Sequence, residues 1–208
     1  HLRTRRQRQM CIRDRNDGGL VPNSQPYNAT PWNYTATDSV SNLPADVVDW
    51  VLVEIKDTTM ATVAQKAALL RSDGRIQDED GTLGVSFDGL NAYSSYYVIV
   101  RHRNHLDVIS ANPITLPNNQ PLDLTQSINV VGGSNQLREL ANGSYALRAG
   151  DTNGDGVITL ADFNLYASEI GTINSYLNSD FNLDGQITVD DFNLYLFNKS
   201  KIGVNIIR

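Results

Sequence analysis

Residues 45–147 alternate apolar and polar side chains with the period of two that is typical of β-strands. VVDWVLVEIKD (47–57) and SYYVIVRHRN (95–104) carry β-branched or aromatic residues at alternate positions, which predicts strands buried on one face. Asp-Gly and Asn-Gly pairs, which favour tight turns, separate such runs. The region is therefore predicted to be an antiparallel β-sandwich. MATVAQKAALL (60–70) fits a helix as well as a strand.

The segment 16–44 precedes this region and is rich in Pro, Asn, Ser and Thr, a composition that predicts a linker. It also contains PYNATPWNYT, whose Tyr27, Trp32 and Tyr34 need apolar surface to cover them. We therefore expect the linker to become an ordered lead-in strand.

Residues 1–15, HLRTRRQRQMCIRDR, hold six Arg and one Asp and lack the apolar core of a secretory signal. MCIRDR resembles the read-through translation of an adapter used in sequencing libraries. We interpret 1–15 as a non-native segment and expect its removal to change neither fold nor melting temperature. The natural N-terminus would then lie upstream, in a longer protein.

Charge excludes one class of partner. The chain has 17 Lys and Arg against 23 Asp and Glu, and since residues 1–15 carry +5, the remainder carries −11. An acidic body argues against nucleic-acid binding. No apolar run approaches the roughly 20 residues of a membrane-spanning helix. The single Cys, Cys11, lies in the adapter-like segment, and a body without thiols fits an extracellular or cell-surface location.

The candidate chemistry lies in a repeat: DTNGDGVITLADFNLY (151–166) returns as DFNLDGQITVDDFNLY (180–195). Each copy fits the calcium-loop template D-x-[DN]-x-[DN]-G with an acid at position twelve. The predicted ligands are Asp151, Asn153, Asp155, Val157, Thr159 and Asp162 for one Ca²⁺, and Asp180, Asn182, Asp184, Gln186, Thr188 and Asp191 for a second. Val157 and Gln186 would each offer a main-chain carbonyl. Ile158 and Ile187, at position eight, are expected to pair the two loops through a short strand contact.

The loops differ from complete EF-hands because position twelve is Asp and no amphipathic helix precedes either loop. A loop with an exiting helix, given twice, resembles the dockerin family over roughly residues 148–200. The resemblance implies a calcium-dependent module, placed here at 148–208, that attaches secreted proteins to a cohesin-like domain. It also implies partner contacts at positions ten and eleven, which are Leu160 and Ala161, then Val189 and Asp190. Many cellulosomal dockerins carry a hydroxyl pair there, so this chain departs from them.

The β-region resembles a module near the C-termini of modular secreted bacterial proteins, where a VVDWVLVE strand and an HRNHL segment recur together; both occur here. The resemblance implies a location and an architecture rather than an activity. No spacer separates the predicted last strand, 145–150, from Asp151, so we expect the strand to join the calcium module rigidly to the sandwich.

No catalytic residue is predicted. His102 and His105 form an H-x-x-H pair, but His102 shares a strand face with valines and fits a core or turn histidine. The acidic DED (78–80) adjoins a Gly turn and fits a solvated loop, and no Gly-x-Ser-x-Gly frames a nucleophile. Tyr27, Trp32, Tyr34 and Tyr93 could form an aromatic platform for sugars, although core packing is the default expectation.

The sequence thus predicts a mainly β chain with a small α domain: a β-sandwich followed by a dockerin-like pair of EF-hand-type calcium loops with exiting helices. Its predicted function is non-catalytic, calcium-dependent attachment or assembly in a secreted bacterial protein, linked to polysaccharide degradation and to upstream domains of the same polypeptide. One alternative is a calcium-stabilised cap or spacer of a larger secreted enzyme or adhesin, without cohesin binding. Another is a carbohydrate-binding β-sandwich.

Overall fold

The computed structural model describes residues 16, 18–118 and 120–207. The expectations for residues 1–15 lie outside them. The described chain is mainly β, with antiparallel sheets and two α-helices. Its strands are β1 (Val47–Lys56), β2 (Thr62–Arg71), β3 (Ile76–Gln77), β4 (Ser94–His102), β5 (His105–Ile109), β6 (Ile114–Leu116), β7 (Leu137–Glu139) and β8 (Tyr145–Leu147). The helices are α1 (Leu160–Glu169) and α2 (Val189–Asn198). Among the described residues, no helix is long and apolar enough to cross a membrane.

The main sheet has the order β3-β2-β1-β4-β5, and β6 pairs with β4; β7 and β8 form a second, two-stranded sheet. All these pairs are antiparallel. The ambiguous segment 60–70 is thus mostly the strand β2, because β1 pairs with it along its length. The predicted final strand, 145–150, is observed as β8 over Tyr145–Leu147, where it pairs with β7 in the smaller sheet, and an isolated bridge then joins Ala149 to His105.

β1 is buried on both faces rather than on one. Trp50 and Leu52 pack under Tyr27 and Tyr34 of the lead-in segment. On the opposite face, Val51 and the rest of a second cluster pack against the region that contains β7 and β8. The single-face expectation was wrong because this strand lies between two covering layers, as in a β-sandwich.

The lead-in segment crosses the sheet without forming a regular strand; an isolated bridge joins Ser24 to Ser39. Tyr27 and Tyr34 are covered as expected, and the Tyr27 hydroxyl donates to the Trp50 carbonyl at 2.8 Å. Tyr93, for which core packing was the default expectation, is instead 84% exposed. Trp32 packs edge-on against Tyr27, with ring centroids 5.1 Å apart.

A third core lies between the two helices and reaches the main sheet. Tyr166 and Tyr195 pack there with Ile158 and Ile187, and Leu106 of β5 belongs to the same cluster. Apolar helix residues therefore cover part of the sheet. Ile170, directly after α1, and Leu196 of α2 are instead exposed.

Candidate metal centres

The first loop, residues 151–162, follows β8 and folds around its own acidic side chains. The Asp155 amide donates to Asn153 Oδ1 at 3.0 Å, the Gly156 amide to Asp151 Oδ2 at 3.0 Å, and the Val157 amide to Asp155 Oδ1 at 2.9 Å. Gly156 has φ +79°, in the left-handed region where Gly is favoured. These bonds turn the odd-numbered side chains of the loop toward a common interior.

Asp162, at position twelve, closes the loop and is fully buried. Its Oδ1 accepts from the Thr152 amide at 2.8 Å, and its Oδ2 accepts from the Thr159 amide at 2.7 Å. The Thr159 side chain in turn accepts from the Ala161 amide, which completes a capping box at the start of α1. The same carboxylate therefore both closes the loop and starts the helix.

The second loop, residues 180–191, repeats this hydrogen-bond pattern. The Asp184 amide donates to Asn182 Oδ1, the Gly185 amide to Asp180 Oδ2, and the Gln186 amide to Asp184 Oδ1, all at 2.9–3.0 Å. Asp191 accepts from the amides of Phe181 and Thr188, each at 2.8 Å. Two loops of different sequence thus share one local geometry.

Position seven of each loop lies in a short antiparallel bridge, Val157 with Ile202 and Gln186 with Ile173. The amides of Val157 and Gln186 point into their loops, toward Asp155 and Asp184. Because the N–H and C=O of one strand residue point to the same side, each carbonyl also faces its loop interior. This is the direction that the predicted carbonyl ligands require.

The two loops were expected to pair with each other at position eight, but each position-eight backbone pairs with another segment. The Ile158 amide donates to the Lys201 carbonyl, and the Ile158 carbonyl accepts from Ser200. Ile187 makes the equivalent pair of bonds with Thr172 and Gly171. Both isoleucine side chains are fully buried, so position eight fills the core while each backbone pairs with a neighbouring turn.

Asp151 is the residue that most needs a further partner. It is 3 % exposed, and its Oδ1 is buried with no hydrogen-bond partner among the described residues. Burial, reinforced by repulsion from Asp162, raises the pKa of Asp151 to about 8. Burial likewise raises the pKa of Asp191 to about 6, despite hydrogen bonds from Thr188. A cation bound in each loop would favour the charged form of its own carboxylate and so oppose the shift in that pKa.

Within the described ranges, no three His, Cys, Asp or Glu side chains form a metal-binding group by themselves. Calcium loops also draw oxygens from amide side chains, main-chain carbonyls and water, so this finding concerns only centres built entirely from His, Cys, Asp or Glu side chains.

His102 is 2 % exposed and lies 3.3 Å from Asp49, with its ring 4.6 Å from that of His105. Its Nδ1 lies 3.1 Å from His105 Nδ1, and it is a buried core histidine, as expected.

The predicted partner-contact residues Leu160, Ala161, Val189 and Asp190 are all exposed, each pair in the first turn of a helix. The Tyr166 hydroxyl of α1 donates to the Thr188 carbonyl before α2, and the Tyr195 hydroxyl of α2 donates to the Thr159 carbonyl before α1. The helices therefore run antiparallel, which places the two pairs at opposite ends rather than in one patch.

Asp78 was expected in a solvated loop, but it is 2 % exposed. It pairs with Lys66 at 2.7 Å and accepts from the Ser86 amide at 3.0 Å. It is a structural carboxylate at the start of the turn that follows β3. Its neighbours Glu79 and Asp80 are exposed, as expected.

The buried polar cluster around Arg103 was not predicted from the sequence. Arg103, at the β4–β5 turn, is 1 % exposed, and its Nε lies 3.1 Å from Asp49 Oδ2. Its Nη1 donates to the Leu177 carbonyl at 2.5 Å, just before the second loop. Next to it, Asn104 Nδ2 donates to the Asp180 carbonyl at 2.8 Å. The only sequence signal was a lone acid, Asp49, inside an apolar strand.

No protein-family model matches this chain, and no curated protein matches it. Among solved structures, it is similar to a chain of a type II cohesin–X-dockerin complex from Acetivibrio cellulolyticus, an N-terminal interface mutant. The two chains are 21% identical, with a TM-score of 0.45, over 74% of this chain and 82% of that one. A likeness at this level assigns no family, so the function has to be inferred from the loops and surfaces described above.

Proposed function

We propose that residues 151–162 and 180–191 each bind one calcium ion, and that the chain is a dockerin-type, non-catalytic attachment module of a secreted bacterial protein. The observation that carries the proposal is the repeated loop geometry, in which Asp162 helps to raise the pKa of the buried Asp151 and Asp151 Oδ1 has no partner among the described residues. A hard cation requires six to eight oxygens at about 2.3–2.6 Å. Bound calcium would supply a positive charge to compensate the negative charges of these carboxylates.

The residues of each loop fit that requirement in number and type. In the first loop, Asp151, Asn153, Asp155, the Val157 carbonyl and Asp162 offer side-chain or main-chain oxygens. Thr159 uses its hydroxyl to cap α1, so we assign it a contact through water, as position nine often makes. Asp180, Asn182, Asp184, Gln186, Thr188 and Asp191 take the same roles in the second loop.

Titration calorimetry of the full chain tests this proposal. We expect two calcium ions per chain, one for either Asp155→Ala or Asp184→Ala, and none for the double variant. Asp88→Ala, which removes an exposed aspartate next to a turn Gly, is the control and should keep both ions. One ion or none in the parent chain would contradict the tandem-loop proposal.

Attachment itself would use the exposed first turns of the helices, with a cohesin-like domain as the partner. Leu160 and Val189 are 67% and 62% exposed, so each offers an apolar side chain to a partner. Because the two sites lie at opposite ends of the helix pair, we expect one partner to engage one end at a time. Leu160→Lys with Val189→Lys should abolish calcium-dependent capture of a partner from the secreted proteins of the source organism, while calcium stoichiometry stays at two.

A second function, a calcium-stabilised cap or spacer of a larger secreted enzyme or adhesin, is favoured by the buried Arg103 and Asn104 contacts between sheet and loops. In that case calcium would raise the stability of the chain and no partner would be captured. The capture experiment, run with calcium and with chelator, separates the two functions. An extracellular or cell-surface location and a role in polysaccharide degradation belong to the first proposal.

A further inference from the structure

A cleft of about 360 Å³ opens on the main sheet, on the face that carries Leu52 and Glu54. Strands β2, β1, β4 and β5 form its floor. Three separate segments form its walls: Trp32 from the lead-in segment, residues 154–156 of the first loop, and the C-terminal tail between Gly203 and Ile207. Its volume lies within the range of small-molecule binding sites.

The floor is polar, and its charges are already neutralised. Arg101 Nε lies 2.7 Å from Glu54 Oε2, Arg101 Nη1 lies 2.5 Å from Asp107 Oδ2, and Lys56 Nζ lies 3.0 Å from Glu54 Oε1. A charged ligand would have to displace one member of this network and leave a buried charge uncompensated, which is strongly unfavourable. The floor therefore favours a neutral ligand that adds hydrogen bonds without replacing an ion pair.

Several planar polar groups can supply those hydrogen bonds. Gln65 lies across from Glu54 in the β1–β2 pair, and its Nε2 makes only a long bond of 3.4 Å to that carboxylate. A guanidinium has five N–H donors and a carboxylate has about four acceptor positions, so Arg101 and Asp107 can bond to a ligand beyond their own pair. Amide, carboxylate and guanidinium groups side by side suit adjacent hydroxyl groups.

The walls add an aromatic ring and an apolar rim. Trp32 is held by its edge-on contact with Tyr27. Gly154 allows the first loop to approach it closely: a Cβ there would lie 3.0 Å from the indole and 2.9 Å from Pro31. Ile206, 54% exposed, lines the opposite rim. An aromatic face next to planar polar groups matches a sugar ring, whose C–H faces are apolar and whose edges carry hydroxyls.

We propose that this cleft binds a segment of a neutral saccharide. The site uses none of the exposed first-turn residues to which attachment was assigned, although residues 154–156 of the first loop form one of its walls. It places the sugar on Trp32 and its hydroxyl groups on Gln65, Arg101 and Asp107.

The test is titration of the full chain with soluble β-1,4-linked hexasaccharides of glucose, xylose and mannose, and with hexagalacturonate as an anionic comparison. The chain has two Trp, of which Trp50 is fully buried, so a change in emission reports on Trp32. We expect saturable binding of at least one neutral hexasaccharide and none of hexagalacturonate. The proposal is overturned if no neutral hexasaccharide binds at about 10 mM, or if only hexagalacturonate does.

Variants locate the site. Gln65→Ala should weaken the affinity about tenfold, because it removes one hydrogen-bonding group and little packing. Trp32→Phe keeps an aromatic wall and should retain calorimetric binding while losing the emission change. Tyr93→Ala, which removes an 84% exposed ring outside the cleft, is the matched control. Unchanged affinity in Gln65→Ala together with an unchanged emission response in Trp32→Phe would place any binding elsewhere and refute the cleft.

Discussion

Glu54 and Asp151 are both almost fully buried carboxylates, yet their surroundings shift their pKa values in opposite directions. Burial raises the pKa of each. For Glu54, Arg101 and the Thr62 hydroxyl outweigh burial and lower the pKa to about 2. For Asp151 the nearest charge is another carboxylate, Asp162, so the pKa rises to about 8. Neighbouring protein groups thus stabilise the charge of Glu54, whereas the charge of Asp151 would be stabilised by the calcium ion proposed above.

The first prediction at this scale concerns the pH dependence contributed by Glu54. Its folded pKa of about 2 lies below its ordinary value of 4.5, so the unfolded chain takes up the proton first as the pH falls. Its contribution to stability is complete above about pH 4.5 and is lost as the pH falls toward 2. Glu54→Gln should lower the free energy of unfolding by about 1–3 kcal/mol at pH 7, and by progressively less between pH 4.5 and 2.

Urea unfolding of parent and variant at a series of pH values measures this difference. The control is Glu79→Gln, an exposed glutamate in the turn after β3. A Glu54→Gln deficit that stays constant from pH 7 down to pH 2 would show that packing, and not the charge, is what the substitution removes.

At the level of elements, each helix begins at a threonine that is also position nine of a loop. Thr159 and Thr188 accept from the amides of Ala161 and Asp190, and Asp162 and Asp191 complete the two capping boxes. Helix start and loop closure are therefore one local structure. This explains why α1 and α2 could be predicted from the repeat alone, since every group involved lies within a few residues in sequence.

The prediction for these elements is that Thr159→Val or Thr188→Val each lowers the free energy of unfolding by about 1 kcal/mol, the usual contribution of an N-cap side chain. Ser168→Ala, an exposed position inside α1, is the control and should change stability little. Chemical denaturation followed by circular dichroism gives both values. Equal effects of all three substitutions would mean that the caps contribute nothing specific.

Strands were harder to predict than helices for a physical reason. The sequence shows that β1 and β4 are strands, but whether one or both faces are covered depends on residues distant in sequence: Tyr27 lies 23 positions from Trp50, and Leu137 lies 86 positions from Val51. Trp50 and Val51 look like the two sides of a half-buried strand, yet lead-in residues cover one and β7–β8 residues cover the other. The strand that pairs with β8 likewise could not be predicted, because a three-residue strand could join either sheet.

At the level of the whole molecule, the contacts between sheet and loops are numerous and buried. Arg103 and Asn104 reach the second loop, as described above. The tail binds the first loop through Gly203, whose amide donates to the Gly156 carbonyl at 2.8 Å, and then inserts Ile207 beside Ile99 and Ile109 of the main sheet. A junction through the strand before Asp151 was expected, and this segment does bond to the main sheet: the Leu106 amide donates to the Arg148 carbonyl at 2.8 Å, and the Gly150 amide donates to the Asn104 carbonyl at 3.0 Å. The β4–β5 turn and the tail add further contacts.

We therefore predict that calcium shifts the unfolding temperature of the entire chain in one transition, because an ion that binds only the folded state stabilises whatever unfolds with it. Calorimetry with calcium and with chelator measures the shift. A sheet transition at the same temperature in both would show that sheet and loops unfold independently.

Arg103→Ala tests the same coupling from the protein side. Removing this guanidinium leaves Asp49 buried without its cation, which should cost about 3–5 kcal/mol. It should also separate the transition into two, with calcium shifting only the loop part. Arg75→Ala, which removes a guanidinium whose side chain is 61% exposed, is the control and should leave a single transition. A single calcium-shifted transition in Arg103→Ala would assign the coupling to the tail.

The position of Arg103 limits where this chain can be divided and how its parts can be joined to other domains. A cut at Gly150 looks natural from the sequence, since it falls between the last strand and the first calcium loop. Such a cut would strip the second loop of the side chains that bond to Leu177 and Asp180, and would leave Arg103 and Asp49 facing solvent on the sheet. A transplant of the helical half onto another β-domain would have to bring the β4–β5 turn and an acid at the position of Asp49 with it. The unit that has to be transferred intact is thus larger than the calcium-loop repeat.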